Sequence, residues 1–231
     1  MAFLWPVAPA HVFMRFHLAP VDPMEDQLPA PRNLLLLAVA FEGGLGLLAL
    51  ALGRWLGYPP LDAFSWTFPD ALWGAAAGFP MLVLLLASVR LRMWPFSDVL
   101  RVVDELVVPL FRSFRVVDLA VISALAGWGE EMLFRGVIQE AVAGWVDGPS
   151  GTWVGLAAAA LLFGLAHPIT PSYILLAGLM GLYLGWLWIA SGNLLVPVMA
   201  HAVYDFLALV YLVKFRRPDL AAEDERSAQH E

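Results

Sequence analysis

The sequence predicts an all-α, polytopic transmembrane helix bundle of about six spans, with one interfacial amphipathic helix. Three observations predict it. Hydrophobic residues make up 61% of the 231-residue chain, and the mean hydropathy is +0.74, well outside the range of ordinary soluble domains. The apolar residues gather into stretches of roughly 16–22, long enough to cross a bilayer core. Ten tryptophans suit aromatic belts at the two membrane interfaces.

The first thirty residues carry prolines at 6, 9, 20, 23 and 29, and residues 1–33 lack a basic region leading into a clean apolar run. They read as a cytoplasmic segment and not as a cleaved signal peptide. Two generic spans are expected at 34–53 and 71–89, and residues 97–114 form an amphipathic helix after them. Its polar side holds Arg101, Asp104, Glu105 and Arg112, with Val108 as an apolar exception. Opposite stand Leu100, Val103, Val107, Leu110 and Phe111, the pattern of a helix lying on a membrane surface, and Pro109 is expected to kink it.

The third stretch, 116–146, is about 45 Å long if fully helical, too long for one ordinary span. It is expected to start at the interface near Asp118 or to break near Gly136. The remaining spans fall at 152–167, 172–190 and 194–213. Gly178, Gly181 and Gly185 in the fifth let another helix approach closely. Residues 116–213 thus form the core that carries the polar motifs, after the spans and amphipathic helix of 34–115, and 214–231 is a polar cytoplasmic tail.

Arg15 and Arg32 precede the first span, and Arg90, Arg92, Arg101, Arg112 and Arg115 follow the second. Lys214, Arg216, Arg217 and Arg226 follow the sixth. An even number of spans puts all of these on one side, with Arg54 opposite and Arg135 inside. The positive-inside rule then gives a multi-pass cell-membrane protein with both termini cytoplasmic. Much of the net charge of −7 lies in the stretch from Asp219 to Glu231, and no basic stripe suggests a nucleic-acid partner. The absence of cysteine excludes disulfides, thiolate metal sites and cysteine nucleophiles.

Three polar clusters interrupt the apolar stretches: Glu130-Glu131 with Arg135, His167, and His201 with Asp205. An ionisable group at bilayer depth costs roughly 2.5–3.5 kcal/mol on insertion scales, so such groups normally face a polar interior and serve a function. Glu131 and Arg135 share a helix face at a spacing of four and can form an ion pair. Glu130 points about 100° away and is the freer carboxylate, desolvated and suited to general acid/base work. His201 and Asp205 are also four apart, so the carboxylate can orient the imidazole. Each cluster alone also has a structural reading, as a packing ion pair, a helix-end histidine or a structural hydrogen bond. Together they point to one shared site. Glu42, in the first span, has no sequence link to them and is left outside it.

The combination Glu130-Glu131-x-x-x-Arg135, Phe163-x-x-x-His167 and His201-x-x-x-Asp205, in that order on successive spans, resembles the CPBP family of intramembrane proteases. That group includes the type II CAAX prenyl endopeptidases and the bacteriocin-processing or immunity (Abi) proteins. The resemblance implies hydrolysis of a peptide bond in a membrane-associated or lipid-modified peptide or a membrane-protein substrate. It makes Glu130, with His167, the activator of a water molecule. His201 and residue 205 become the oxyanion-stabilising pair, and Glu131 and Arg135 their support. The family's Glu and His residues also suit a zinc ion held by three protein ligands and a water. HExxH is absent, however, and the metal-free account is preferred. Several family members have asparagine where this chain has Asp205. An amide can donate to an oxyanion and an ionised carboxylate cannot, so Asp205 is either protonated or acts by orienting His201, the preferred role.

Two other classes compete with the protease. A proton- or ion-coupled transporter uses similar buried Glu and His residues, although no clear inverted repeat is visible. A non-catalytic membrane scaffold or immunity protein could keep the motif for folding. Depth poses a further question. His167 falls near the cytoplasmic end of the fourth span, and His201 about 10 Å from the outer end of the sixth. The two meet only if spans tilt, enter unevenly, or break near Pro168 and Pro197.

Overall fold

A computed structural model describes residues 31–91 and 96–216. Residues 1–30 and 217–231 lie outside the described residues, and with them most of the two expected cytoplasmic segments and Arg15, Arg217 and Arg226; Arg92 is outside as well. The described chain is an all-α bundle with no strand. Four helices are long and apolar enough to cross a membrane: Arg32–Leu56, Phe68–Arg90, Pro171–Ser191 and Leu195–Phe215. Helices of this length and hydropathy mark a membrane protein.

The first span is helix α1, Pro31–Leu56. The second divides at Gly78 into α2, Phe68–Ala77, and α3, Phe79–Leu91. Thr67 caps α2 by accepting from the Asp70 N–H at 3.2 Å. Next come α4, Phe96–Val102, a π-helical turn over Val103–Val107, and α5, Val108–Phe111. Pro109 has no N–H to donate to the carbonyl four residues back. The hydrogen-bond register widens before it, and the expected kink takes the form of this π turn.

The expected surface helix does not turn its apolar face away from the protein. Leu100 and Val103 are each only 6% exposed, because this strap lies across one end of the bundle. Two polar pins hold it. Ser172 Oγ donates to Asp98 at 3.0 Å, and Arg216 makes a two-pronged ion pair with Asp104 at 2.6 and 3.0 Å.

The long third stretch does not break near Gly136. It runs as α6, Val116–Glu131, then a π segment, Met132–Gln139, then α7, Glu140–Trp145. Asp118 at its start accepts from the Arg115 N–H at 2.8 Å. Gly136, where a break was expected, lies inside the π segment. The last three helices are α8, Gly151–Leu165, α9, Pro171–Ser191, and α10, Leu195–Val210, which continues as a π turn over Tyr211–Phe215. Thr170 caps α9 through the Tyr173 N–H at 3.1 Å, Pro171 occupies its first turn, and Gly192, at φ 62°, closes it in the left-handed conformation. Pro197 lies in the first turn of α10, where its missing N–H removes no bond, and it does not break the helix.

α6 is the central element, packed against both α1 and α10, while α8 and α9 pair closely. At the end opposite the strap, Trp55 in the last turn of α1, Trp66 before α2, Trp145 at the end of α7 and Trp153 in the first turn of α8 are all exposed, a belt around that end. The same end is tied by Asn193. Its Nδ2 donates to Ser65 O and Asp70 Oδ2, both at 2.8 Å. Its Oδ1 accepts from the Ser65 and Leu195 N–H groups at 3.0 and 3.1 Å.

Candidate active site

Two glycines in the sequence Gly127-Trp128-Gly129 bring the polar residues of α6 between its neighbours. A Cβ on Gly127 would meet Ala202 N at 2.8 Å and Val198 O at 2.9 Å, and one on Gly129 would meet Glu42 O at 2.5 Å. Only residues without a side chain allow α10 and α1 this close. Glu131, one turn past Gly127, thereby reaches His201, and Glu130 stands beside the stretch of α1 that carries Glu42.

The expected ion pair between Glu131 and Arg135 is present at 2.8 Å, with both side chains fully buried. Arg135 also donates from Nη2 to Gly181 O at 2.9 Å and lies 4.5 Å from the centre of the Phe163 ring. One turn on, Gln139 Nε2 donates to Gly185 O at 3.2 Å. These contacts use two of the three glycines expected to permit close packing. A Cβ on Gly185 would sit 2.6 Å from Gln139 Oε1, and one on Gly181 would sit 3.0 Å from Ala160 Cα.

Glu131 has a second partner that the helix spacing did not reveal. His201 Nδ1 lies 2.8 Å from Glu131 Oε1, and its Nε2 lies 3.3 Å from Asp205 Oδ2. A carboxylate accepts, so Nδ1 carries a proton. The shorter contact on His201, the one that fixes ring and tautomer, therefore comes from Glu131. Asp205 faces the other nitrogen, on the side open to the cavity.

His167 lies just beyond α8, in a tight turn over Pro168 in which Ile169 N–H donates back to His167 O at 2.8 Å. Its Nδ1 is 2.8 Å from Phe163 O. A carbonyl only accepts, so Nδ1 is the protonated nitrogen and Nε2 keeps its lone pair. The ring packs between Phe163, at 4.9 Å, and Tyr173, at 6.1 Å between centroids. The Phe163 ring is also 6.0 Å from that of His201. The turn that follows α8 places His167 so that both histidines border one aromatic ring.

A cavity of about 360 Å³ is lined by Glu130, His167, His201 and Asp205, with Tyr173 and Tyr204 beside them. The strap helices roof it through Leu100, Val103 and Phe111. Glu130 is 9% exposed, and its Oε2 has no hydrogen-bond partner. Glu42 also lines this cavity, again with a buried, unpartnered Oε2. Spacing along the chain cannot link α1 to α6; the close contact at Gly129 is the signal that links them. Among the described residues, no three His, Cys, Asp or Glu side chains come together so as to hold a metal ion.

Residues 112–207 match the family model described as Type II CAAX prenyl endopeptidase Rce1-like. The match supports the resemblance of that segment to the CPBP family. The match covers less than half of the chain, from the end of α5 into α10. No curated protein and no solved structure matches the chain. The match supports, at the family's level of description, a CAAX-type intramembrane endopeptidase in a membrane surrounding. The matched segment contains Glu130, Glu131, Arg135, His167, His201 and Asp205, while α1 with Glu42 lies outside it.

Proposed function

We propose that the chain hydrolyses a peptide bond in a membrane-associated or lipid-modified peptide, with Glu130 as general base. The observation that carries this reading is a buried Glu130 carboxylate with one oxygen unpartnered, facing a cavity that it shares with His167, His201 and Asp205. A water there donates one hydrogen bond to Glu130 and another to His167 Nε2. Glu130 takes a proton as the water oxygen attacks the scissile carbonyl, then delivers it to the leaving amine. Carbonyl oxygen becomes oxyanion, and His201, held from behind by Glu131, stabilises it through Nε2–H. Products are a carboxylic acid and an amine, and no step needs a metal.

Asp205 stands where the substrate oxygen would arrive, and Glu131 supplies the orienting contact that its spacing suggested for Asp205. An ionised carboxylate at this position opposes the developing charge. We place the strap end in the cytoplasm, because Arg32, Arg90, Arg101, Arg112, Arg115, Lys214 and Arg216 all lie on helix ends or loops at that end. The cavity then opens to cytoplasmic peptide.

The test is cleavage of a peptide library by the full chain in detergent or liposomes. Glu130→Gln is expected to lower turnover by about 10²–10⁴-fold with an unchanged melting temperature, and a chelator is expected to leave wild-type cleavage intact. Wild-type protein that cuts no peptide in either medium, or a Glu130→Gln variant that cuts normally, would overturn the reading.

A further inference from the structure

Glu42 is not explained by the chemistry above. It reaches the cavity from α1, outside the matched segment, and its buried Oε2 has no hydrogen-bond partner. The charges around it do not balance. Arg135 is paired with Glu131, and His201 lies between Glu131 and Asp205. Glu42 and Glu130 remain, and among the described residues neither has an ion-pair partner. A cation brought between two carboxylates in an apolar enclosure is attracted far more strongly than in water, and each carboxylate is costly to keep ionised there without one.

The walls nearby favour one kind of cation. Met81, Leu84, Val103 and Phe111 line the same cavity as Glu42 and Glu130. A long basic side chain suits this mixture, because its methylene stem packs on apolar surface while its charged head meets a carboxylate. A bare metal ion suits it less, since no group of ligating side chains gathers there. α1 is held against the site by the Gly129 contact, so Glu42 is fixed relative to Glu130.

We infer that Glu42 is the specificity determinant of the site: it forms a subsite for a lysine or arginine side chain next to the scissile bond of the substrate peptide. This rests on the endopeptidase reading and deepens it. Glu130 does the chemistry, and Glu42 selects the peptide by charge. Because α1 is not part of the matched segment, this selectivity belongs to this chain and is not carried by the resemblance.

The experiment uses quenched fluorescent peptides in pairs that differ only by lysine or the uncharged norleucine, which keeps most of the lysine stem, scanned across positions on both sides of the bond. The full chain in liposomes is expected to prefer lysine at one position by about tenfold or more in kcat/KM. Glu42→Gln should collapse that ratio towards one, and Glu42→Lys should turn the preference towards a third peptide that carries glutamate at the same position. Binding of the same pairs to Glu130→Gln protein, read by fluorescence anisotropy, gives an arm that needs no turnover. Cleavage without a lysine preference, or a preference that survives Glu42→Gln, overturns the subsite. A lysine preference in binding that Glu42→Gln abolishes, without cleavage of any peptide, overturns the endopeptidase reading and leaves the subsite standing.

Discussion

The bundle has a polar cluster at each end, and the two are built differently. Asn193 uses all the hydrogen-bonding capacity of its amide, with two donations and two acceptances between 2.8 and 3.1 Å. The cluster around Glu131 is more deeply buried and more highly charged, yet it leaves Oε2 of Glu42, Glu130 and Glu131 and Nε of Arg135 without partners. Buried polar atoms in folded proteins are nearly always satisfied. A network that only holds helices together can close on itself, as the Asn193 cluster does. One that must receive a water and a peptide has to keep acceptors open and accept the loss of stability.

The sharpest way to break the contrast is to remove the central cation. Arg135→Met strands Glu131 and is expected to destabilise the fold by about 3–5 kcal/mol, read as a large fall in melting temperature in detergent. A small change would mean that the charged cluster is no more structural than a surface pair. Next comes Asn193→Ala, expected to cost about 1–3 kcal/mol while cleavage per folded molecule stays at the wild-type level. Equal losses of stability and activity would erase the distinction between the two ends.

Asp205→Asn sharpens the working cluster. With Glu131 orienting His201, the amide removes an opposing charge and adds a donor, so cleavage is expected to hold or rise within about tenfold. A much larger loss in kcat would return the orienting role to Asp205. The smallest effect is expected at the strap. Asp104→Asn breaks a partly exposed ion pair worth about 0.2–1 kcal/mol, and the shift in melting temperature should shrink further in high salt.

Much of this was legible in the sequence because it depends on local spacing. The helical bundle follows from the apolar stretches, and the Glu131–Arg135 contact follows from a separation of four. The span positions at 34–53, 152–167 and 172–190 fall on α1, α8 and α9. What escaped depends on contacts between distant segments. Glu131 meets His201 70 residues away, and Asp104 meets Arg216 112 residues away. Glu42 enters the cavity only because Gly129 admits α1. The π segments escaped as well: hydrophobic periodicity assumes a constant angle per residue, and a wider turn violates that assumption without leaving a compositional trace.

The π segment Met132–Gln139 has a consequence for shortened variants. A wide turn amounts to a residue inserted into an α-helix and absorbed in place. Deleting one residue within 132–139 would let the helix revert to ordinary bonding, still long enough to cross the membrane. Everything beyond the deletion would swing by about 100° relative to α9, and Gln139 would lose Gly185 O. A deletion scan should therefore find alleles in this stretch that insert and accumulate normally yet are inert, a class that point substitutions in the apolar spans would not produce.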